Sequence, residues 1–195
     1  MPKEGLSLIG HDDILRYEEI LRIVRLAVGL GIAKVRVTGG EPLVRRGVIP
    51  FITALKTISG IEDLSLTTNG VLLEGYASAL LAAGVCRLNI SLDSLNREKY
   101  FHITRGGSLA AVLRGIDAVY GLGFAPIKIN VVAMKGFNDD EILDFARLTL
   151  HRPFQVRFIE LMPLGHTGRD NLGKYLAGET IRDVIEDSYP LLPVN

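Results

Sequence analysis

Cysteine occurs once in this 195-residue chain, at Cys86. A lone thiol forms no internal disulfide, which agrees with a reducing compartment. Neither sign of charge is in excess, since 22 lysines and arginines balance 22 aspartates and glutamates. No overall field therefore draws nucleic acid or an anionic membrane, and a basic site has to be assembled by folding. No apolar run approaches the roughly 18–20 residues that span a bilayer. The opening Met1-Pro2-Lys3-Glu4-Gly5 lacks an apolar signal segment. These absences predict a cytoplasmic protein with no nucleic acid and no membrane among its partners. What is present is 48% hydrophobic residues, enough for one sizeable core, and the expectation is a single domain over residues 1–195.

Apolar period alternates along the chain between helix-like and strand-like. In Tyr17–Gly31 the residues Ile20, Ile23, Val24, Ala27 and Leu30 share one helical face. Strands are predicted at Lys34–Thr38, Leu64–Thr68, Arg87–Ser91, Ile127–Val132 and Gln155–Glu160. Helices are predicted between them at Ile49–Ser59, Leu72–Ala83, Leu109–Gly121 and Asp139–Leu148, with a last one around Ile181, Val184 and Ile185 that stops before Pro190. Strand–helix–strand connections of this length imply right-handed crossovers and parallel strands, so the fold class is α/β, barrel-like or doubly wound.

Side chains on a strand alternate between faces, and here the two sets differ in kind. One is apolar: Val35 and Val37, Leu64 and Leu66, Leu88 and Ile90, Ile127, Ile129 and Val131, Val156 and Phe158. The other is mostly polar: Arg36 and Thr38, Ser65 and Thr67, Asn89 and Ser91, Lys128 and Asn130, Gln155 and Arg157. A sheet covered on both faces would show near-continuous aliphatic runs, and a closed barrel fills its centre with branched aliphatics. A partial, open barrel with a polar lumen fits better. Burying so many polar groups unpaired would cost about 1–3 kcal/mol each, so a polar ligand is expected among them. Arg36, Lys128 and Arg157 lie on that face, whereas Glu41, Asp93 and Glu160 fall at or beyond strand ends. That balance favours a polyanion such as a nucleoside triphosphate; the competing expectation pairs each base with a loop carboxylate.

Other residues carry plainer expectations. Arg45 and Arg46 read as a solvated pair, and Cys86 shares the parity of Leu88 and Ile90, which predicts a thiol packed beneath the helices. His11, His102, His151 and His166 show no metal spacing. Asn138-Asp139-Asp140 reads as a helix start whose side-chain oxygens cap free amides.

The string Lys34-Val-Arg-Val-Thr-Gly-Gly-Glu-Pro-Leu-Val-Arg-Arg46, followed by Leu66-Thr-Thr-Asn-Gly70, Asn89-Ile-Ser-Leu-Asp93, Lys128-Ile-Asn-Val-Val132 and Val156-Arg-Phe-Ile-Glu-Leu-Met162, resembles the GTP 3′,8-cyclase family of the radical S-adenosylmethionine superfamily. The Gly-Gly-Glu-Pro segment marks the superfamily and the other strings select this family. The resemblance implies an enzyme, a lyase of molybdenum cofactor biosynthesis, that cyclises GTP to (8S)-3′,8-cyclo-7,8-dihydroguanosine 5′-triphosphate. In it, a [4Fe–4S] cluster reduces S-adenosylmethionine, and the resulting 5′-deoxyadenosyl radical takes the C3′ hydrogen. It implies that Gly39, Gly40, Glu41, Ser91 and Met162 contact S-adenosylmethionine, and that Arg36, Thr67, Lys128 and Arg157 contact GTP.

The same resemblance implies a partial TIM-like βα barrel and a homodimer whose product passes to cyclic pyranopterin monophosphate synthase. The family carries a Cys-x3-Cys-x2-Cys motif commonly followed by Met-Pro, and this chain begins Met1-Pro2. The expectation is that the first strand, those cysteines and a second, C-terminal cysteine cluster fall outside the sequence, and that the chain as it stands is inactive. Two rivals remain at this level: a Schiff-base aldolase using Lys128, and a non-catalytic nucleotide-binding fragment.

Overall fold

The computed structural model describes residues 13–162 and 173–193. Helix α1 (Tyr17–Gly29) leads into β1 (Lys34–Val37), then α2 (Val48–Lys56), β2 (Asp63–Thr68), α3 (Leu73–Ala82) and β3 (Arg87–Ser91). After α4 (Arg97–Thr104) and α5 (Leu109–Gly121) come β4 (Ile127–Ala133), α6 (Ile142–His151), β5 (Phe154–Glu160) and α7 (Gly178–Glu186). The five strands form one parallel sheet in the order β1-β2-β3-β4-β5. A doubly wound sheet reverses its order at a switch point. This one does not, and successive right-handed crossovers therefore carry the helices onto one face, as in a βα barrel that has not closed.

The apolar parity set faces those helices. Leu64, Leu66, Leu88, Ile90, Ile127, Ile129 and Val131 are all buried at 1% exposure or less, packed with Ile52, Leu55, Leu80, Val112 and Val119. Each such side chain contributes about 1.5–3 kcal/mol of burial, so this layer dominates the stability of the sheet. Helices α3 and α5 approach closely at Gly115, where an added Cβ would lie 2.7 Å from the Gly70 carbonyl oxygen and 2.8 Å from Leu73 Cβ. At the β1 edge burial is thinner: Val35 and Val37 are only half-buried, and α1 contains no fully buried residue.

Several expectations change. Helix α4 was not anticipated, because only Tyr100 of its eight residues is buried and no apolar period marks it. Its start was legible in Asn96, whose side-chain oxygen accepts from the Glu98 and Lys99 amides at 2.9 and 3.1 Å. A helix does start here, as a 3-10 turn over Asp139–Glu141 that runs into α6, but the Asn138 side chain does not cap it. Asn138 is buried, takes the Met134 amide at 2.7 Å and donates to the carbonyls of Asp93 (2.7 Å) and Val132 (2.9 Å), lacing the β4 end to the loop after β3. Cys86 is exposed: it precedes β3, at the amino end of the sheet beyond helix cover, its thiol directed at the Leu64 carbonyl. Arg45 is not simply solvated. Its guanidinium lies 4.2 Å over the Tyr17 ring and donates to the Leu15 carbonyl at 2.6 Å, pinning the start of α1 to the loop after β1.

Candidate functional site

Register turns the polar parity set into rungs across the sheet. The lowest joins Arg36, Ser65 and Arg87; the next joins Thr67, Asn89, Lys128 and Gln155; above it stand Ser91, Asn130 and Arg157. Cations therefore descend diagonally, from Arg157 on β5 through Lys128 on β4 to Arg87 on β3 and Arg36 on β1. Arg36 and Arg157 are exposed and Lys128 is half-buried.

Among the described residues none of Arg36, Lys128 and Arg157 forms an ion pair, while Arg87 bonds to Asp63 at 2.9 Å. Partial burial pushes the Lys128 ammonium below the usual lysine range, and the charges of Arg157, Arg87 and Arg36 push it the same way against a smaller opposing pull from Asp63.

The carboxylates that would have neutralised this face are committed elsewhere. Glu41 accepts from the Thr68 hydroxyl at 2.8 Å and from the amides of Asn69 (2.6 Å) and Leu43 (3.1 Å). Asp93 accepts the Val132 amide at 2.9 Å, and its burial lifts its carboxyl above the ordinary aspartate value. Glu160 accepts the Gly178 amide at 2.6 Å and the Tyr175 hydroxyl at 3.0 Å, bonds that hold its carboxyl below the usual range. All three acids fasten loops at the carboxyl end of the sheet, so the pairing of each base with a loop carboxylate does not occur among the described residues.

That same end carries the other predicted positions. Gly39 and Gly40 follow β1, are exposed, and an added Cβ on either would meet nothing within 4 Å, so their main chain is open to a ligand. Ser91 ends β3 with its side chain exposed, and Met162, two residues beyond β5, is 65% exposed. Thr67, half-buried, sits one rung below Ser91. The Glu41 carboxylate is largely filled by its three internal donors, so this residue shapes the Gly39–Gly40 loop and offers a ligand mainly its backbone.

Sequence reasoning missed Arg87, although the parity of Asn89 and Ser91 marks it. It also missed Glu141, a buried carboxylate that takes the Ser94 hydroxyl at 2.9 Å and the Leu95 amide at 2.6 Å, because its partners lie more than 40 residues away in sequence. Among the described residues no three His, Cys, Asp or Glu side chains are grouped to hold a metal, and no helix is long and apolar enough to cross a membrane. His11 and His166 lie outside the described residues.

A family model described as the Radical SAM superfamily matches residues 4–149. The chain is 51% identical over 191 residues to a GTP 3′,8-cyclase of Alkaliphilus oremlandii, covering 98% of this chain and 60% of that protein. To the protein of the same name from Geobacter sulfurreducens it is 53% identical over 196 residues, covering 100% of this chain and 59% of that one. It thus spans about three fifths of the length of these relatives. Two solved structures share the fold alone. Coproporphyrinogen III oxidase (HemN) from Escherichia coli, a radical SAM enzyme, gives a TM-score of 0.60 at 13% identity over 92% of this chain and 47% of its own. HydG, a maturase of the [FeFe]-hydrogenase, gives 0.61 at 15% identity over 88% and 41%.

Proposed function

The chain belongs to the radical S-adenosylmethionine superfamily, and from that premise we propose that it is the central portion of a GTP 3′,8-cyclase. One observation carries the proposal beyond resemblance: Arg36, Lys128 and Arg157 share an open polar face and form no ion pair among the described residues, while the nearby acids Glu41, Asp93 and Glu160 are tied into loops. Fixed cations without counter-charges bind a polyanion by charge-assisted bonds, and a triphosphate supplies several acceptors at once.

On this reading Arg36, Lys128 and Arg157 hold the phosphates and Thr67 lends a hydroxyl beside them. The main chain of Gly39, Gly40 and Glu41, with Ser91 and Met162, receives S-adenosylmethionine at the carboxyl end, where βα folds place their ligands. The exposed glycine backbone and the exposed Ser91 fit that cofactor. When bound, it supplies the hydrogen-abstracting chemistry of the superfamily; the residues here contribute position and charge. A [4Fe–4S] cluster does not fit the ligands at hand. It needs several thiolates, and Cys86 is the only cysteine, placed at the amino end of β3 away from Gly40 and Ser91. We therefore expect no 5′-deoxyadenosine from this polypeptide alone. By the same proposal the protein works in the cytoplasm as a homodimer and passes its product to cyclic pyranopterin monophosphate synthase. The relatives favour this chemistry over a Schiff-base aldolase at Lys128.

Calorimetric titration of the chain with GTP tests the proposal. Lys128→Ala and Arg157→Ala are each expected to weaken binding about tenfold, the worth of one charge-assisted bond. Equal affinity in the parent and both variants would overturn the assignment.

A further inference from the structure

We propose that Arg87, oriented by Asp63, is a fourth phosphate-binding cation on this face and that it reads the length of the polyphosphate. The inference rests on the proposal that the face binds GTP. Arg36 and Lys128 stand three strands apart, on β1 and β4, a gap of about 14 Å at the ordinary strand spacing. Arg87, on β3, occupies that gap: it shares a rung with Arg36 through Ser65 and stands beside the strand of Lys128.

Asp63 takes one guanidinium nitrogen of Arg87 at 2.9 Å, which uses one of five donors on a side chain that remains 47% exposed. The planar fork is thus held in place with most of its donors open. The other oxygen of Asp63 is buried with no partner among the described residues, so the carboxylate is committed to Arg87 and to no second side chain. The field of Arg87 reaches Lys128, acting on its ammonium more strongly than that of Arg36.

Direction follows from the two ends of the sheet. The reacting ribose must meet S-adenosylmethionine near Gly40 and Ser91, so the phosphate tail points toward the amino ends of the strands. Arg87 lies four residues before Ser91 on the same strand, about 13 Å lower. A terminal phosphate reaches that depth and a monophosphate does not.

The test is calorimetric titration of the parent chain, Arg87→Gln, Arg87→Lys, Lys128→Ala and Arg157→Ala with GTP, GDP and GMP. Arg87→Gln is expected to weaken GTP about tenfold and GMP less than twofold, so that the preference for GTP over GMP collapses. Arg87→Lys keeps the charge opposite Asp63 but loses the fork, and should give an intermediate preference. Should Arg87→Gln fail to fold, Arg87→Lys decides: a parental GTP-to-GMP ratio in whichever variant folds, with GTP binding weakened in Lys128→Ala or Arg157→Ala, overturns the role of Arg87 and leaves the triphosphate face standing. No GTP binding by the parent, or none lost in either Lys128→Ala or Arg157→Ala, overturns both.

Discussion

The Thr68 hydroxyl donates to the Glu41 carboxylate at 2.8 Å and accepts the Gly70 amide at 3.1 Å, so one buried side chain ties the Gly39–Gly40 loop to the turn after β2. Thr68→Val keeps the shape and removes both bonds. It should destabilise the chain by about 1–2 kcal/mol in urea denaturation, whereas Thr68→Ser should cost less. Equal midpoints for Val and Ser would show that the hydroxyl is idle.

Asn138 satisfies three main-chain groups from the interior, and Asn138→Ala strands all of them. A loss of about 2–4 kcal/mol is expected. Asn138→Asp should be no better at neutral pH, since a carboxylate would face two carbonyl oxygens. Chemical denaturation of both variants checks this.

Gly115→Ala places a methyl against the Gly70 carbonyl, in the turn that leads into α3, and against Leu73 at the start of that helix. Because neither neighbour is the flexible end of a side chain, the helices must move apart. The expected cost is about 1–3 kcal/mol, read from the melting temperature.

Lys128 gives up its proton at lower pH in the folded chain than in the unfolded one. Between its lowered value and the ordinary lysine value the unfolded chain binds more protons, so this residue makes stability rise with pH across that window. Below the window the charge is fully carried and destabilising in the absence of an anion. Lys128→Met should therefore be more stable than the parent at neutral pH, with the advantage shrinking as pH climbs through the alkaline window. An advantage that is flat in pH would argue against the charge as its cause.

Glu160 behaves oppositely. Its bonds to the Gly178 amide and the Tyr175 hydroxyl hold its carboxyl below the unfolded value, so its contribution is present above that value and is lost as pH falls through the folded one. Glu160→Gln should weaken the docking of α7 at neutral pH and flatten the acid dependence of stability. Amide exchange in Gly178–Glu186, compared between parent and variant at two pH values, reports this directly.

Parity makes the two faces of the sheet legible in the sequence, because alternation along a strand is a covalent property of extended backbone. Arg36, Thr67, Lys128 and Arg157 are thereby grouped by local pattern, and Arg87 has the same parity. Helix α4 escaped because one buried residue in eight leaves no period. Cys86 obeyed parity but not burial, since a residue just outside the strand end lies past the helices that cover its face. What the chain alone determined was thus the alternation of α and β units and the chemistry of each face. Only the tertiary structure decided which charges are free, because Glu41 finds Thr68 across 27 residues, Asp93 finds Val132 across 39, and Asp63 finds Arg87 across 24. The side-by-side placement of the strands and of the loops that follow them sets those meetings, and bonds between segments far apart in the chain leave no local trace in the order of residues.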